Sequence, residues 1–184
     1  MLYILGGASR SGKTLLSRRA VVERQIPYFP LDALFGAMVH GAPEFKMKYE
    51  DSLMDRPQKM WPLLRHLINV FFAEERGYLL EGDTILPNQV NELVVEQKEV
   101  RCCFLGYTEL NKEEKLALVR KFHQGERDWT KGISDEEMLP MIDEMIQFSK
   151  YLKEECSKYG IKYFDVSHDF EGVRNEAFEY LFAE

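Results

Sequence analysis

The sequence predicts an α/β fold of three layers, a five-stranded parallel sheet with helices on both faces, in one domain spanning residues 1–184. Three observations carry that expectation. Apolar runs of strand length alternate along the chain with longer segments of helical periodicity, and strands alternating with helices close into a parallel sheet covered on both sides. Glycine and proline are scattered singly, so no linker divides the chain. With 45% hydrophobic residues in 184, there is enough apolar material for one sizeable core.

Leu2 to Leu5 reads as a buried strand, followed after a glycine-rich turn by a helix over Lys13 to Arg24. Ile26 to Leu31 is a second strand, which Pro27 and Pro30 mark as an edge. Met60, Leu63, Leu64, Leu67, Ile68, Phe71 and Phe72 are spaced as one helical face, predicting a helix over Pro57 to Glu75 capped by Asp55, stopped by Gly77 and open to kinking at Pro62. Tyr78 to Leu80 is a third strand, Val90 to Glu96 a short helix begun near Pro87, and Val100 to Leu105 a fourth strand. Asn111-x-x-Glu114 and Ser134-x-x-Glu137 have capping-box spacing and mark two helix starts. The second leads into a long helix whose core stripe is Met141, Met145, Phe148, Leu152, Cys156 and Tyr159, with Pro140 setting off its first turn. Ile161 to Val166 is the fifth strand and Val173 to Phe182 the closing helix.

The formal net charge of −7 gives no overall positive field to draw in nucleic acid or an anionic membrane, so neither is an expected partner. Cys102, Cys103 and Cys156 lack C-x-x-C spacing and read as buried small hydrophobes in a protein of the reducing cytoplasm. His40, His66, His123 and His168 are far apart, without metal-ligand spacing. Leu2 to Leu5 is too short for a signal-peptide core, and Leu67 to Ala73 falls far short of the roughly 20 residues of a membrane span.

Gly7-Ala8-Ser9-Arg10-Ser11-Gly12-Lys13-Thr14 matches the Walker A pattern in full, between an expected strand and an expected helix. Average residue usage produces such a match by chance in about one chain in a hundred of this length, before that context is required. Gly7 and Gly12 permit backbone angles that turn successive N–H groups inward, making an anion nest. The helix adds its positive end, Lys13 its ammonium and Thr14 a hydroxyl suited to Mg²⁺. Residues Gly7 to Leu15 are therefore the candidate phosphate-binding set. Arg10 either touches phosphate or pairs with an acidic neighbour outside the loop.

On these residues the chain resembles the P-loop kinases, which include nucleoside monophosphate kinases, shikimate and gluconate kinases and 2-phosphoglycerate kinase-like proteins. The resemblance is specific in the first 15 residues and architectural afterwards. It implies the three-layer P-loop NTPase fold, ATP and Mg²⁺ as cofactors, and phosphoryl transfer to a small-molecule or nucleotide acceptor. It also implies an acceptor-binding segment at residues 41–57, carrying Lys46, Lys48 and Arg56 amid Phe45, Met47 and Tyr49, and a lid insertion at 120–133. In such kinases an acidic residue ending the second strand meets the acceptor hydroxyl, and Asp32 in Pro30-Leu31-Asp32-Ala33 stands there; it is also placed to cap a helix from Ala33 onward. Leu79-Leu80-Glu81-Gly82-Asp83 resembles the Walker B region, with Glu81 the first candidate to orient metal-bound water and Asp83 the second. Arg120, Arg127 and Lys131 are the cations a lid would bring to the phosphates, with Arg127, Lys13 and Asp32 in catalytic roles.

The loop lacks the proline and the glycine after lysine typical of adenylate kinases, and Glu81-Gly82-Asp83 replaces their Asp-Gly-Phe-Pro-Arg signature. Leu80-Glu81-Gly82 is closer to the 2-phosphoglycerate kinase-like pattern. Two other readings stay open: an NTPase with water as acceptor, and a non-catalytic nucleotide sensor. Asn111-Lys112-Glu113-Glu114 lacks the last residue of the Asn-Lys-x-Asp guanine signature, which disfavours guanine. Ser167-His168-Asp169 follows the fifth strand, where related kinases place residues near adenine, or serves as a plain loop.

Overall fold

Short apolar runs without alternation are what a strand needs when both its faces are covered, and five of them form one sheet in the computed structural model, which describes residues 1–73, 77–96, 99–122 and 128–183. The strands are β1 (Leu2–Gly7), β2 (Tyr28–Pro30), β3 (Tyr78–Gly82), β4 (Val100–Gly106) and β5 (Lys162–Asp165). All pairings are parallel, in the order β2-β3-β1-β4-β5. In register, Pro30 lies beside Glu81, Leu5 beside Glu81 on its other side, Gly6 beside Gly82, and Gly7 beside Leu105. The carboxyl ends of β2, β3, β1 and β4 are thus nearly level, and whatever follows each strand crowds one edge. From β1 the chain runs outward to β2 and later crosses to β4 on the opposite side, so the reversal falls beside β1, where open α/β sheets form a ligand crevice.

Among the described residues seven α-helices accompany the strands: α1 (Lys13–Arg24), α2 (Leu31–Gly41), α3 (Asp55–Phe72), α4 (Pro87–Glu96), α5 (Lys112–Lys121), α6 (Asp135–Tyr159) and α7 (Phe170–Leu181). Right-handed crossovers running in opposite directions put α1 and α4 on opposite faces of the sheet. α7 packs beside α1, and α6 lies across β4 and β5 against α4 and α5. The core lies on both sides of β1, β3 and β4, with Ile4, Leu5, Leu79, Leu80, Cys103, Phe104 and Leu105 fully buried. The three cysteines are unpaired, Cys103 and Cys156 buried, and burial pushes the Cys103 thiol up. Among the described residues no helix is long and apolar enough to cross a membrane.

Several elements depart from expectation. β2 is shorter than Ile26 to Leu31, with Pro27 just before it and Pro30 at its end, and it is an edge strand, as those prolines favour. Asp55 is the first helical residue of α3 and not its cap: its amide is taken by Ser52 Oγ at 3.0 Å. Pro140 sits inside an unbroken α6 and sets off no separate turn. The α6 stripe holds at Met145, Phe148, Leu152 and Cys156, but Met141 and Tyr159 are exposed, and Met138, Ile142 and Ile146 are buried instead. The inner face of a helix is set by what packs on it, and α6 is packed by α4 and α5 as well as by β4 and β5. α7 begins at Phe170, earlier than Val173, because Asp169 accepts the Gly172 amide at 2.8 Å and caps it.

Both capping boxes are complete. Ser134 Oγ accepts the Glu137 amide at 3.3 Å, and Glu137 Oε2 accepts the Ser134 amide at 3.0 Å. Ser134→Ala removes one of those acceptors and is expected to cost about 1 kcal/mol, a fall of about 2–4 °C in Tm for a chain of this size. Calorimetric melting of the two proteins checks this, and coincident transitions would mean that the box is not formed in solution.

Candidate phosphate and acceptor site

β1 ends on Gly7 with φ 139°, and a Cβ there would lie 2.1 Å from the Leu105 carbonyl oxygen, so no other residue fits against β4. Ala8 extends the pairing one step, donating its amide to Leu105 O at 2.9 Å. The chain then turns away through Ser9, Arg10 and Ser11 and enters α1 at Gly12, whose φ is 95°. No side chain caps α1. Its free first-turn amides and the positive end of its dipole point into the loop, the standard requirement for holding an anion. The Leu15 amide bonds Gly12 O at 3.1 Å, and its side chain is exposed.

Two cationic or hydroxyl groups stand ready inside the loop. Lys13, the first residue of α1, is buried with its Nζ donating to Ala8 O at 2.8 Å. Ser11 Oγ is buried with no hydrogen-bond partner among the described residues. A buried hydroxyl left without a partner costs free energy, and an anion in the loop would remove that cost. Thr14 Oγ1 donates to Glu81 Oε2 at 3.3 Å. A hydroxyl beside a carboxylate is an oxygen-donor set suited to Mg²⁺, which binds through few protein ligands together with phosphate and water. No group of three or more His, Cys, Asp or Glu side chains able to cage a metal occurs among the described residues.

The acidic half of the site comes from β3 and the start of α2. Asp32 is the second residue of α2, whose N-cap is Pro30, so it is not the helix cap; it is exposed in the first turn, where the helix dipole favours a negative charge. A Cβ on Gly82 would lie 3.2 Å from Asp32 Oδ1, which measures how close α2 comes to β3. Glu81 is buried; burial raises its pKa, the nearby Lys13 opposes the rise, and Asp32 adds to it. Asp83 is pushed up to about 7, first by burial and then by the negative charge of Asp32. Asp32, Glu81, Asp83, Lys13 and Thr14 therefore converge, as the level strand ends require.

The segment at 41–57 folds back on α2. Arg56 lies over the Phe35 ring at 5.4 Å and donates to the carbonyls of Tyr49 and Asp51. Tyr49 packs on Phe35 and His40, Met47 is buried, and Lys46 and Lys48 are exposed. Arg56 alone of these three cations acts electrostatically on Asp83.

Arg127 lies outside the described residues. Arg120 is bound into the base of the expected lid: its guanidinium donates to Asp135 and to the carbonyls of Thr130 and Ile133. Arg10 takes the second of its two readings: it forms an ion pair with buried Asp128 and donates to Thr130 Oγ1 at 3.2 Å. His168 pairs with Glu109 at 2.6 Å, and Asp169 caps α7. Two residues at the loop went unnoticed in the sequence. Tyr107, fully buried, donates to Ser9 O at 2.6 Å, and Lys115, on α5, donates to Arg10 O at 2.9 Å. Neither belongs to a local pattern; only their closeness in space to the loop reveals them.

With this geometry the fold can be compared with known proteins. No protein-family model matches the chain, and no curated protein matches it in sequence. Solved structures do. A shikimate kinase from Bacteroides thetaiotaomicron superposes with TM-score 0.58 at 15% identity, covering 97% of each chain. A gluconokinase from Sinorhizobium meliloti gives TM-score 0.58 at 15% identity over 97% of this chain and 90% of its own. An uncharacterized protein from Eubacterium ventriosum gives 0.57 at 14% identity over 100% and 99%. The chain thus has the three-layer α/β fold of P-loop small-molecule kinases.

Asp83 supplies a pH test of the acidic cluster. Its carboxyl ionises near 3.8 in an unfolded chain and near 7 here. The stability contributed by the neutral form is full below the first value and is lost as pH rises to the second. Asp83→Asn, uncharged throughout, is expected to gain stability over the parent progressively from pH 4 to pH 7 and to level off above. Urea midpoints across that range read the difference, and a gap independent of pH would show that Asp83 titrates normally.

Proposed function

We propose that the protein is an ATP- and Mg²⁺-dependent phosphotransferase acting on a small molecule through a hydroxyl group. One observation carries the reading: an anion cradle and an exposed carboxylate, Asp32, open on the same edge of the sheet, with Thr14 bonded to the buried Glu81 in the same cluster. The architecture shared with a shikimate kinase and a gluconokinase supports it.

In this reading Lys13 and the first-turn amides of α1 bind the phosphates, and Thr14 with Glu81 holds the metal and its water. Mg-ATP, when bound, supplies a phosphoryl group activated for transfer. Asp32 orients the acceptor hydroxyl and takes its proton as the oxygen attacks phosphorus. Lid cations, Arg127 among them, offset the charge that develops. Asp32 is the exposed carboxylate that faces the acceptor, while Arg56 is committed to backbone carbonyls. A carboxylate there repels a phosphate dianion, so a hydroxyl is favoured over a phosphate as nucleophile.

ADP formation measured with a panel of polyols, sugars and hydroxy acids is expected to rise with a matching acceptor. Asp32→Asn should lower kcat about 100-fold or more while Mg-ATP affinity changes less than about threefold. If ADP formation is the same with and without every acceptor and survives Asp32→Asn, the transfer reading is lost.

A further inference from the structure

The outer carbonyls of the glycine-rich loop are engaged one after another. Ala8 O accepts from Lys13 at 2.8 Å, Ser9 O from the Tyr107 hydroxyl at 2.6 Å, and Arg10 O from Lys115 at 2.9 Å. Only the first donor belongs to the loop's own motif; Tyr107 follows β4, and Lys115 lies on α5, more than a hundred positions away in sequence. A peptide plane is rigid, with C=O and N–H on opposite sides. Holding a carbonyl outward therefore turns the amide of the next residue inward. Bonds on Ser9 O and Arg10 O set the directions of the Arg10 and Ser11 amides.

The arrangement is unfavourable enough to need an explanation. Arg10 is held at φ 61°, a left-handed conformation uncommon outside glycine, and such strain persists only where surroundings impose it. Lys115 is buried, and among the described residues no carboxylate lies within ion-pair distance of its ammonium; its contacts are Arg10 O and the Tyr107 ring at 3.5 Å. Burial, then the positive charges of Arg10 and Lys13, push its pKa down to about 7. Three cations gathered at one loop repel one another, and a bound polyanion would turn that repulsion into attraction.

We infer that Tyr107 and Lys115 are positioning residues that pre-shape the loop for a nucleotide's phosphates by holding the Ser9 and Arg10 carbonyls outward. The Arg10–Asp128 ion pair, with Thr130 beside it, braces the same turn from the segment that ends the expected lid. The inference rests on the proposed nucleotide binding at this loop, and it adds the residues that make the loop competent before ligand arrives.

The test is calorimetric titration of Mg-ADP into the wild type, Tyr107→Phe, Lys115→Met and Lys115→Arg, each with its Tm. Tyr107→Phe removes one hydroxyl and is expected to weaken binding about three- to tenfold, the range of one neutral hydrogen bond. Lys115→Met is expected to weaken it at least about tenfold while Tm holds or rises, since a buried cation is removed. A residue that only supported the fold would lower both together. Lys115→Arg keeps a donor and should bind within about threefold of the wild type. Wild-type affinity in both Tyr107→Phe and Lys115→Met overturns the inference while leaving the functional reading intact. Failure of the wild type itself to bind Mg-ADP overturns the functional reading instead. Amide hydrogen exchange at residues 10–13 without ligand then decides the inference by itself: faster exchange in the two variants supports it, and unchanged exchange refutes it.

Discussion

Gly7 meets Leu105 so closely that a single added carbon would collide with the backbone of β4, and this contact governs the functional end of the molecule. β1 is paired on both sides, and the Ala8 amide carries the pairing to β4 one residue past the strand. The chain has no room to continue in plane and must turn out of the sheet within four residues before α1 begins at Lys13. A turn that tight, passing through two left-handed residues at Arg10 and Gly12, leaves the first-turn amides of α1 facing a concavity. Sheet pairing and the shape of the loop are thus consequences of one packing constraint.

Charge at the site is arranged by the same geometry. On a chain with a net charge of −7, three cations surround the loop, and three carboxyl groups line the adjoining strand ends. The two sets are not simply neutralised against each other. Lys13 and Lys115 bond loop carbonyls, Arg10 is taken by Asp128, and Glu81 is met by the Thr14 hydroxyl. Buried charges held by dipoles instead of counter-ions remain available to a ligand of opposite charge, whereas a closed ion pair would have to be broken first. Asp32 differs from its neighbours in being exposed, which leaves it open to solvent.

Much was legible where the physics is local. The loop motif, the start of α1 and both capping boxes depend on residues three to five positions apart, and the structure has each where the spacing places it. The edge position of β2 follows from prolines that cannot donate to a central ladder. Legibility fell away where a neighbour comes from another element. α3 starts at Asp55 itself, behind Met54 and with the Asp55 amide bonded to Ser52 Oγ, and the buried stripe on α6 includes Met138, Ile142 and Ile146, because what packs on a helix comes from other elements.

By itself, the sequence determined a phosphate-type loop between a strand and a helix, an alternating α/β chain, and the acidic residues that end β2 and β3. Only the tertiary structure decided that Asp32, Glu81 and Asp83 share one edge, that Arg120 is spent on Asp135 and the carbonyls of Thr130 and Ile133 and Arg10 on Asp128, and that Tyr107 and Lys115 reach the loop at all. The reason is the range of the forces. Backbone angles and caps are set within one turn of chain, but strand order and register join residues nearly a hundred positions apart, as Leu2 with Val100, and no periodicity encodes which of them will meet.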